Sequence, residues 1–385
     1  MSHPVWDELL GQPEAIEQLQ RAVEAKATGV HHAWLFTGPA GSGRSNLAKS
    51  FAAALQCQAD GCSNCQQCNL IASDSHPDVT LLVTDKVQIS IDEVRDLVSK
   101  SALATSIGKY RVIIIEDADR MTERTSNVLL KVLEEPAENV IWILCAPSVS
   151  DLLPTIRSRT RNLNLRLPSL DEVATLLSER DGVDKEVARR AALLAQNHVG
   201  MARRLATSQE ARARRSETLR VLMAITNLSS AMVAAEKLLG VAKRDAEAIS
   251  SERDALEKSA LMKAFGLEPD EKIPANLRSQ FRELEDNQKR RGTRTLRDGI
   301  DRIFTDAESI YRDIMSLQLD AKTELVNTEI ESEIVERANG WPPAKTIEVL
   351  DSITQARSRL SSNVRDLLVL EALCTKLIFR GTLAN

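Results

Sequence analysis

A glycine-rich stretch near the amino terminus constrains this chain more than any other feature. The stretch reads Leu35-Phe36-Thr37-Gly38-Pro39-Ala40-Gly41-Ser42-Gly43-Arg44-Ser45 and predicts a buried strand, a tight loop and the first turn of a helix. Its spacing is that of the phosphate-binding loop G-x-x-x-x-G-K-[S/T], whose backbone N–H groups and helix dipole face phosphate oxygens. We therefore expect Gly38, Gly41 and Gly43 to shape a nucleotide site and the Ser45 hydroxyl to bind magnesium.

Arg44 stands where the motif has a lysine. Lysine is a compact charge on a thin stem, whereas the guanidinium of arginine is a broad planar fork. Arg44 can contact phosphate, but it cannot copy the reach of lysine to a transferred phosphoryl group. For the loop taken alone, a glycine-rich turn that binds no nucleotide stays open as the alternative.

The second feature is an acidic pair that follows the most apolar run of the chain. Arg111-Val112-Ile113-Ile114-Ile115 predicts a buried parallel strand, and Glu116 and Asp117 follow it directly. Ligands of open α/β sheets bind at the carboxyl ends of the strands. We expect Glu116 and Asp117 to face the phosphate loop there; a solvated acidic turn is the alternative. Metal-dependent NTPases place Asp before Glu at this point, and here the order is reversed.

Four cysteines lie close together after the helix of the phosphate loop: Cys57, Cys62, Cys65 and Cys68. Two overlapping C-x-x-C steps let four thiolates converge on one tetrahedral ion, and zinc is the natural occupant. Four sulfur ligands close the coordination sphere, so the predicted site is structural. Free thiols and an iron–sulfur cluster stay open as alternatives.

Composition limits the classes of protein. The chain has 385 residues, enough for two or three domains, and a net charge of -5, so any contact with nucleic acid would be local. We find neither a long apolar run nor an apolar leader, and we expect a soluble, cytoplasmic protein with no membrane partner.

The order of strands and helices predicts the fold class. Five strand-like runs alternate with helices as far as Pro168, which indicates an α/β domain with a parallel sheet over residues 1–168, the cysteine knuckle (57–68) included. Residues 169–207 predict a small helical lid, and residues 208–385 an all-α domain. Within it, residues 230–300 are rich in charge and predict an exposed helical hairpin; a solvated surface insertion is the simpler interpretation.

The residues over about 5–207 resemble a known family, the AAA+ clamp-loader ATPases of bacterial DNA polymerase III, and most of all its delta-prime branch. The resemblance rests on the order and spacing of several motifs: the loop ending Gly43-Arg44-Ser45, the cysteine knuckle, His76-Pro77-Asp78, Glu116-Asp117, Leu129-Leu130-Lys131-Val132-Leu133-Glu134-Glu135-Pro136 and Leu153-Pro154-Thr155-Ile156-Arg157-Ser158-Arg159.

The resemblance implies a five-subunit ring with a P-loop domain, a lid and a C-terminal collar. Its partners would be the motor subunits, the delta subunit, the sliding clamp and primer-template DNA. Arg159 would be an arginine finger that serves the ATP of a neighbour. Arg203, in Gly200-Met201-Ala202-Arg203, would be the second sensor of a bound nucleotide. ATP with magnesium stays open as a cofactor beside zinc.

Arg44 and the order of Glu116 and Asp117 depart from the motor subunits of this family. Both departures affect hydrolysis and spare the fold, so we expect a non-hydrolysing stator that assembles the ring. Whether the chain is itself an enzyme stays open, because it would belong to a polymerase holoenzyme without being the polymerase. An active gamma/tau-like motor is the alternative. A zinc-dependent DNA-binding regulator fits poorly with the acidic charge and with the lack of a basic cluster near the cysteines.

Overall fold

The structure is a computed structural model and describes residues 4–379 except residues 8, 26–28, 40, 85–87, 265–273, 275–276 and 363. It divides into two compact units, one containing residues up to 84 and 88–207, the other residues from 208 onward. The three domains named above remain a prediction within this division.

The first unit is built on a sheet of five parallel strands, counted over the described residues. The strand order is β2-β3-β4-β1-β5. β1 lies between β4 and β5, with Leu35 opposite Leu144 and Asn162. The predicted α/β class with a parallel sheet is confirmed. The strands are β1 (Ala33–Thr37), β2 (Val79–Leu82), β3 (Arg111–Ile115), β4 (Val140–Ala146) and β5 (Arg161–Asn164).

Alternation along β1 divides the core between the two faces of the sheet. Trp34 and Phe36 pack on one face with Phe51, whereas Leu35 packs on the other with Trp142. β1, β3 and β4 are buried along their whole length. A strand covered by helices on both faces needs a continuous apolar run, and this is why these three runs were recognisable in the sequence.

Helices cover both faces of the sheet and continue beyond it. A capping box between Ser90 and Glu93 begins α4. The helices of the first unit are α1 (Pro13–Glu24), α2 (Arg44–Gln56), α3 (Gln66–Ala72), α4 (Ile91–Ser101), α5 (Glu123–Glu134), α6 (Pro154–Arg157), α7 (Leu170–Asp181), α8 (Lys185–Leu194) and α9 (Val199–Thr207).

The second unit is helical throughout its described part, apart from connecting turns. Its helices are α10 (Gln209–Met223), α11 (Leu228–Ala264), α12 (Arg278–Gln318), α13 (Glu331–Gly340), α14 (Pro343–Ser361) and α15 (Asp366–Lys376).

The charged range 230–300 falls on the two longest helices, α11 and α12, which have 37 and 41 residues. Leu238 of α11 and Ile300 and Phe304 of α12 are fully buried in the core of this unit. The start of the range was predicted to be exposed, and the structure buries it because its small and aliphatic residues share one helix face. The two prolines Pro269 and Pro274 predict a break within this range; the structure describes Pro274 but not Pro269.

Among the described residues, no helix combines the length and the apolar character that crossing a bilayer requires.

Candidate functional site

The phosphate loop connects the carboxyl end of β1 to α2. The Gly38 N–H donates to the Pro147 carbonyl (3.1 Å) and the Ser42 N–H to the Pro39 carbonyl (3.1 Å). Gly43 has a φ of +88° and caps α2, so that Arg44 and Ser45 form its first turn. A left-handed residue at this point turns the chain sharply from loop to helix, and glycine adopts it without a Cβ clash.

The loop is packed too closely for side chains at two glycines. A Cβ on Gly38 would come 2.7 Å from the Leu165 carbonyl oxygen, and one on Gly41 would come 2.6 Å from His198 Cδ2. His198 lies just before α9, in the range predicted to be the lid, so the ring of this residue contacts the phosphate loop. The sequence analysis did not single out His198; its place two residues before Gly200 was the available signal.

Gln12 holds the loop in place through side-chain hydrogen bonds. This residue is buried, and its Nε2 donates to the carbonyl oxygens of Ser42 (3.2 Å) and Arg166 (2.6 Å). The Arg166 N–H donates back to Gln12 Oε1 (3.2 Å). The loop is thus tied to the chain that follows β5. A glutamine just before the helix-starting Pro13 was the only sequence signal for this role.

The structure brings Arg44 and the acidic residues together. Burial raises the pKa of the Asp119 carboxyl, Asp117 raises it further, and Arg44 opposes both. Burial likewise raises the pKa of Cys145 at the end of β4, where Glu116, Arg44 and Asp117 all act on the thiol. Arg44 and Asp117 thus act in opposite directions on the same two groups at the carboxyl edge of the sheet.

Two charged atoms at this edge are buried without hydrogen bonds from the described residues: Arg44 Nη1 and Asp119 Oδ1. Asp117 has a left-handed φ of +50° and lies 3.3 Å from Arg120 in an ion pair. The predicted pair Glu116 and Asp117 follows β3 at the carboxyl edge of the sheet, the edge at which β1 leads into the loop. Asp119 joins it, and sequence reasoning missed this residue although it lies in the same acidic run.

Arg203 is placed differently from the other predicted residues. It lies on α9, and its Nη2 is 3.2 Å from Asp181 Oδ1 at the end of α7. Its guanidinium is more than half exposed in this ion pair. Arg203 is therefore on the helix that follows His198, and its ion pair joins α9 to α7 rather than to the phosphate loop.

The four cysteine sulfurs converge behind α2, all within 4.8 Å of one another. Cys57 Sγ lies 3.6 Å from Cys62 Sγ and 3.8 Å from Cys65 Sγ. Four sulfurs at about 2.3 Å from one zinc ion lie about 3.8 Å apart in a tetrahedron. The separations and the all-sulfur donor set fit zinc, so the cluster could hold one metal ion.

The backbone of the knuckle also favours a thiolate. Burial raises the pKa of the Cys57 thiol, but hydrogen bonds from the N–H groups of Cys62, Gly61 and Ala59 outweigh it and lower the pKa to about 6. Gly61 has a φ of +112° and packs against Val5, which leaves no room for a Cβ. Thiolate is the form that binds metal.

Arg159 lies at the opposite edge of the sheet from the phosphate loop. It follows α6 and precedes the first residue of β5, which is parallel to β1, so it lies at the amino ends of the strands. Its guanidinium pairs with Glu134 and donates to the Thr155 carbonyl (2.9 Å) and to Ser158 Oγ (3.1 Å). The side chain is one-third exposed and borders a cleft of about 540 Å³.

Asp78 is a buried carboxylate whose role the sequence did not reveal. It accepts hydrogen bonds from the N–H groups of Ser106 (2.7 Å), Ile107 (2.9 Å) and Gly108 (2.7 Å), and Arg111 Nη2 lies at 3.1 Å. This carboxylate fixes the loop between α4 and β3 to the sheet. The motif His76-Pro77-Asp78 was the signal, but a structural role was not assigned to it.

The region that contains these sites is similar to known proteins. Residues 11–169 match the family model described as DNA polymerase III, delta subunit. This region contains the phosphate loop, the cysteine cluster, the acidic edge and Arg159. The delta' subunit of DNA polymerase III from Pseudomonas aeruginosa is 40% identical over 134 residues, covering 33% of this chain and 41% of the relative. The matched part of this chain is similar to the clamp-loader subunits of DNA polymerase III.

A second DNA polymerase III relative matches a longer stretch of the chain. The gamma/tau subunit from Mycobacterium bovis is 32% identical over 184 residues, covering 46% of this chain and 32% of the relative. The predicted resemblance to the delta-prime branch is confirmed. The chain spans less than half of the length of these two relatives.

A solved structure, the gamma subunit-related protein of Thermotoga maritima, aligns with 94% of this chain and 97% of its own. The identity is 18% and the TM-score 0.44. A likeness at this level carries no argument about function.

Proposed function

We propose that this chain is a delta-prime-like stator of the replicative clamp loader. It assembles with the motor subunits and the delta subunit, offers Arg159 to the ATP of a neighbour, and helps to place the sliding clamp on primer-template DNA. Its own phosphate loop hydrolyses little or no ATP.

The placement of Arg44 carries this proposal. Stabilising a transferring phosphoryl group takes a lysine or its equivalent, a metal ion and an oriented water. In this chain the guanidinium that replaces the lysine acts on the same groups as the acidic residues: it lowers the pKa of Asp119 and of Cys145, whereas Asp117 raises both. A cation of the chain itself that stabilises this negative charge opposes the binding of magnesium there, because both compete for it.

Arg159 supports the second part of the proposal by its distance from the loop of its own chain. A residue at the amino edge of the sheet cannot reach a phosphate bound at the carboxyl edge. In a ring of like subunits this edge is available to a neighbour, and a guanidinium offers two parallel donors to phosphate oxygens.

Zinc is the proposed resident metal. Cys57, Cys62, Cys65 and Cys68 would hold it as thiolates, and the ion would supply a structural cross-link between the end of α2 and the start of α3. The α/β core is built separately from this knuckle, so the metal would order the knuckle rather than the sheet.

An active motor subunit of the gamma/tau type is the second candidate. The complete glycine spacing of the loop and the Ser45 hydroxyl favour it, since both suit nucleotide and magnesium. Turnover by the isolated chain separates the two candidates. Titration with labelled ATP and a phosphate-release assay should show weak or no binding and no turnover. Steady hydrolysis near ~1 s⁻¹, the low end of ordinary enzyme rates, that Ser45→Ala abolishes would overturn the stator.

The ring itself tests Arg159. Arg159→Ala should leave the subunit folded and the ring assembled. It should slow hydrolysis at the one adjoining motor site, by up to the ~10³ to 10⁵ that such a charge supplies in other phosphoryl transfers. Normal turnover and normal clamp loading by the mutant ring would exclude the role in trans.

A further inference from the structure

Glu134 ends α5 and lies beside Arg159, which is in the turn after α6. The carboxylate of Glu134 pairs with Arg159 Nη2. The other terminal nitrogen, Nη1, donates to the Thr155 carbonyl and to Ser158 Oγ. Both ends of the guanidinium fork are thus held from different sides.

The position of Glu134 is fixed in turn from the sheet. His32, just before β1, makes a hydrogen bond through Nε2 to the carbonyl oxygen of Leu133, at 2.9 Å. The carbonyl can only accept, so Nε2 donates. Because Leu133 is buried and Glu134 is the next residue, the end of α5 is held to the chain just before β1. The carboxylate therefore has a stable base from which to orient Arg159.

We infer that Glu134 is a positioning residue for Arg159. This inference rests on the proposed role of Arg159 in trans. A long surface arginine loses much rotamer freedom when it must meet a phosphate in one geometry. The contacts with Glu134, Thr155 and Ser158 remove that freedom before the neighbour arrives, while the remaining N–H groups of the guanidinium stay available for the phosphate.

Glu135 offers a matched control one residue away. It is an exposed glutamate, and within the described part of the chain its carboxylate has no hydrogen bond or ion pair. Glu134→Gln and Glu135→Gln therefore remove the same charge from adjacent positions. Only the first removes the partner of Arg159.

The experiment uses rings whose other motor subunits carry an inactivating loop substitution, so that the adjoining site alone turns over. We expect Glu134→Gln to lower kcat at this site roughly 3- to 30-fold, in line with one lost charge-assisted hydrogen bond, with KM unchanged. Glu135→Gln should equal the wild type. In the Arg159→Ala background, Glu134→Gln should have no further effect, because it acts through the arginine.

Each other outcome has a definite meaning. If Arg159→Ala slows the site but Glu134→Gln does not, or accelerates it, the positioning role is overturned and the stator stands. If Glu134→Gln lowers kcat equally in the Arg159→Ala background, the carboxylate acts on something else and the inference fails. If Arg159→Ala has no effect, the proposed role in trans has failed first.

Discussion

The ring of His198 lies directly against Gly41 of the phosphate loop, where a Cβ on the glycine would come 2.6 Å from His198 Cδ2. The two residues are far apart in the sequence, and one precedes α9 while the other belongs to the loop. Any movement of His198 must therefore change what covers the loop.

This contact predicts the effect of an added methyl group. Gly41→Ala should cost about 1–2 kcal/mol of stability for the left-handed backbone and about 1–3 kcal/mol more for overpacking against His198. Gly43→Ala is the matched control, because Gly43 has a similar φ of +88° and open space around its Cα. It should show the backbone cost alone.

A double variant separates the two costs. In the Gly41→Ala chain, His198→Ala should restore the stability that overpacking removes. In the Gly43→Ala chain, the same substitution should restore none of the lost stability. Urea unfolding of the full chain measures all of these variants. Equal losses for Gly41→Ala and Gly43→Ala would mean that His198 yields freely.

Because of Asp78, we expect the first unit to lose stability in acid. Burial raises the pKa of its carboxyl, but the N–H donors of Ile107, Ser106 and Gly108 and the charge of Arg111 outweigh this, so the pKa lies below its ordinary value. A lowered folded pKa gives stability that is fully present above the unfolded pKa near ~3.9. That stability is lost as the pH falls through the folded pKa.

Asp78→Asn should therefore cost about 3–5 kcal/mol at neutral pH, as when one partner of a buried charge pair is removed. It should also make the free energy of unfolding decrease less as the pH is lowered from neutral to acid. Asp74→Asn is the control, because Asp74 forms a half-exposed pair with Lys49 and should cost about 0–1 kcal/mol. Unfolding curves over a pH series test both; a variant with the acid slope of the wild type would contradict the assignment.

Metal removal should loosen the knuckle and spare the sheet. Protein purified without chelator should contain one zinc per chain, and Cys65→Ser should lose it. Hydrogen exchange over residues 57–68 should then accelerate, while β1, β3 and β4 stay protected, because their core is separate. Cys374→Ala removes a buried thiol outside the cluster and should keep the zinc. Elemental analysis that finds none in the wild type would refute the metal site.

We expect Arg337 to contribute strongly to the stability of the second unit. It is buried, donates to the Tyr311 hydroxyl (2.9 Å) and to the Met223 carbonyl (2.8 Å), and lies over the rings of Trp341 and Phe379. Arg337→Met should cost about 3 kcal/mol or more, because it leaves buried acceptors unpaired.

The exposed Arg312 on α12 gives the control for that substitution, and Arg312→Met should change stability by no more than about 0.5 kcal/mol. Urea unfolding, with hydrogen exchange of α12 and α13 as a local probe, distinguishes the two. Equal effects would show that Arg337 contributes only its packing volume.

The features that the sequence determined by itself are local. The glycine spacing of the loop, the C-x-x-C steps and the apolar runs of β1, β3 and β4 each lie within about a dozen residues. Backbone geometry at this scale follows from residue type and periodicity. For this reason the α/β class, the resemblance to a family and the candidate metal ligands could be predicted from the sequence.

Tertiary structure alone decided the contacts between distant residues. Asp78 meets the loop after α4, Glu134 meets Arg159, and His198 meets Gly41, and no local pattern encodes these approaches. The charged helices α11 and α12 became part of the core because their few small and aliphatic residues face their neighbours. A charged helix shows its buried face only once a partner is known, since burial depends on which surface meets it and not on its average composition.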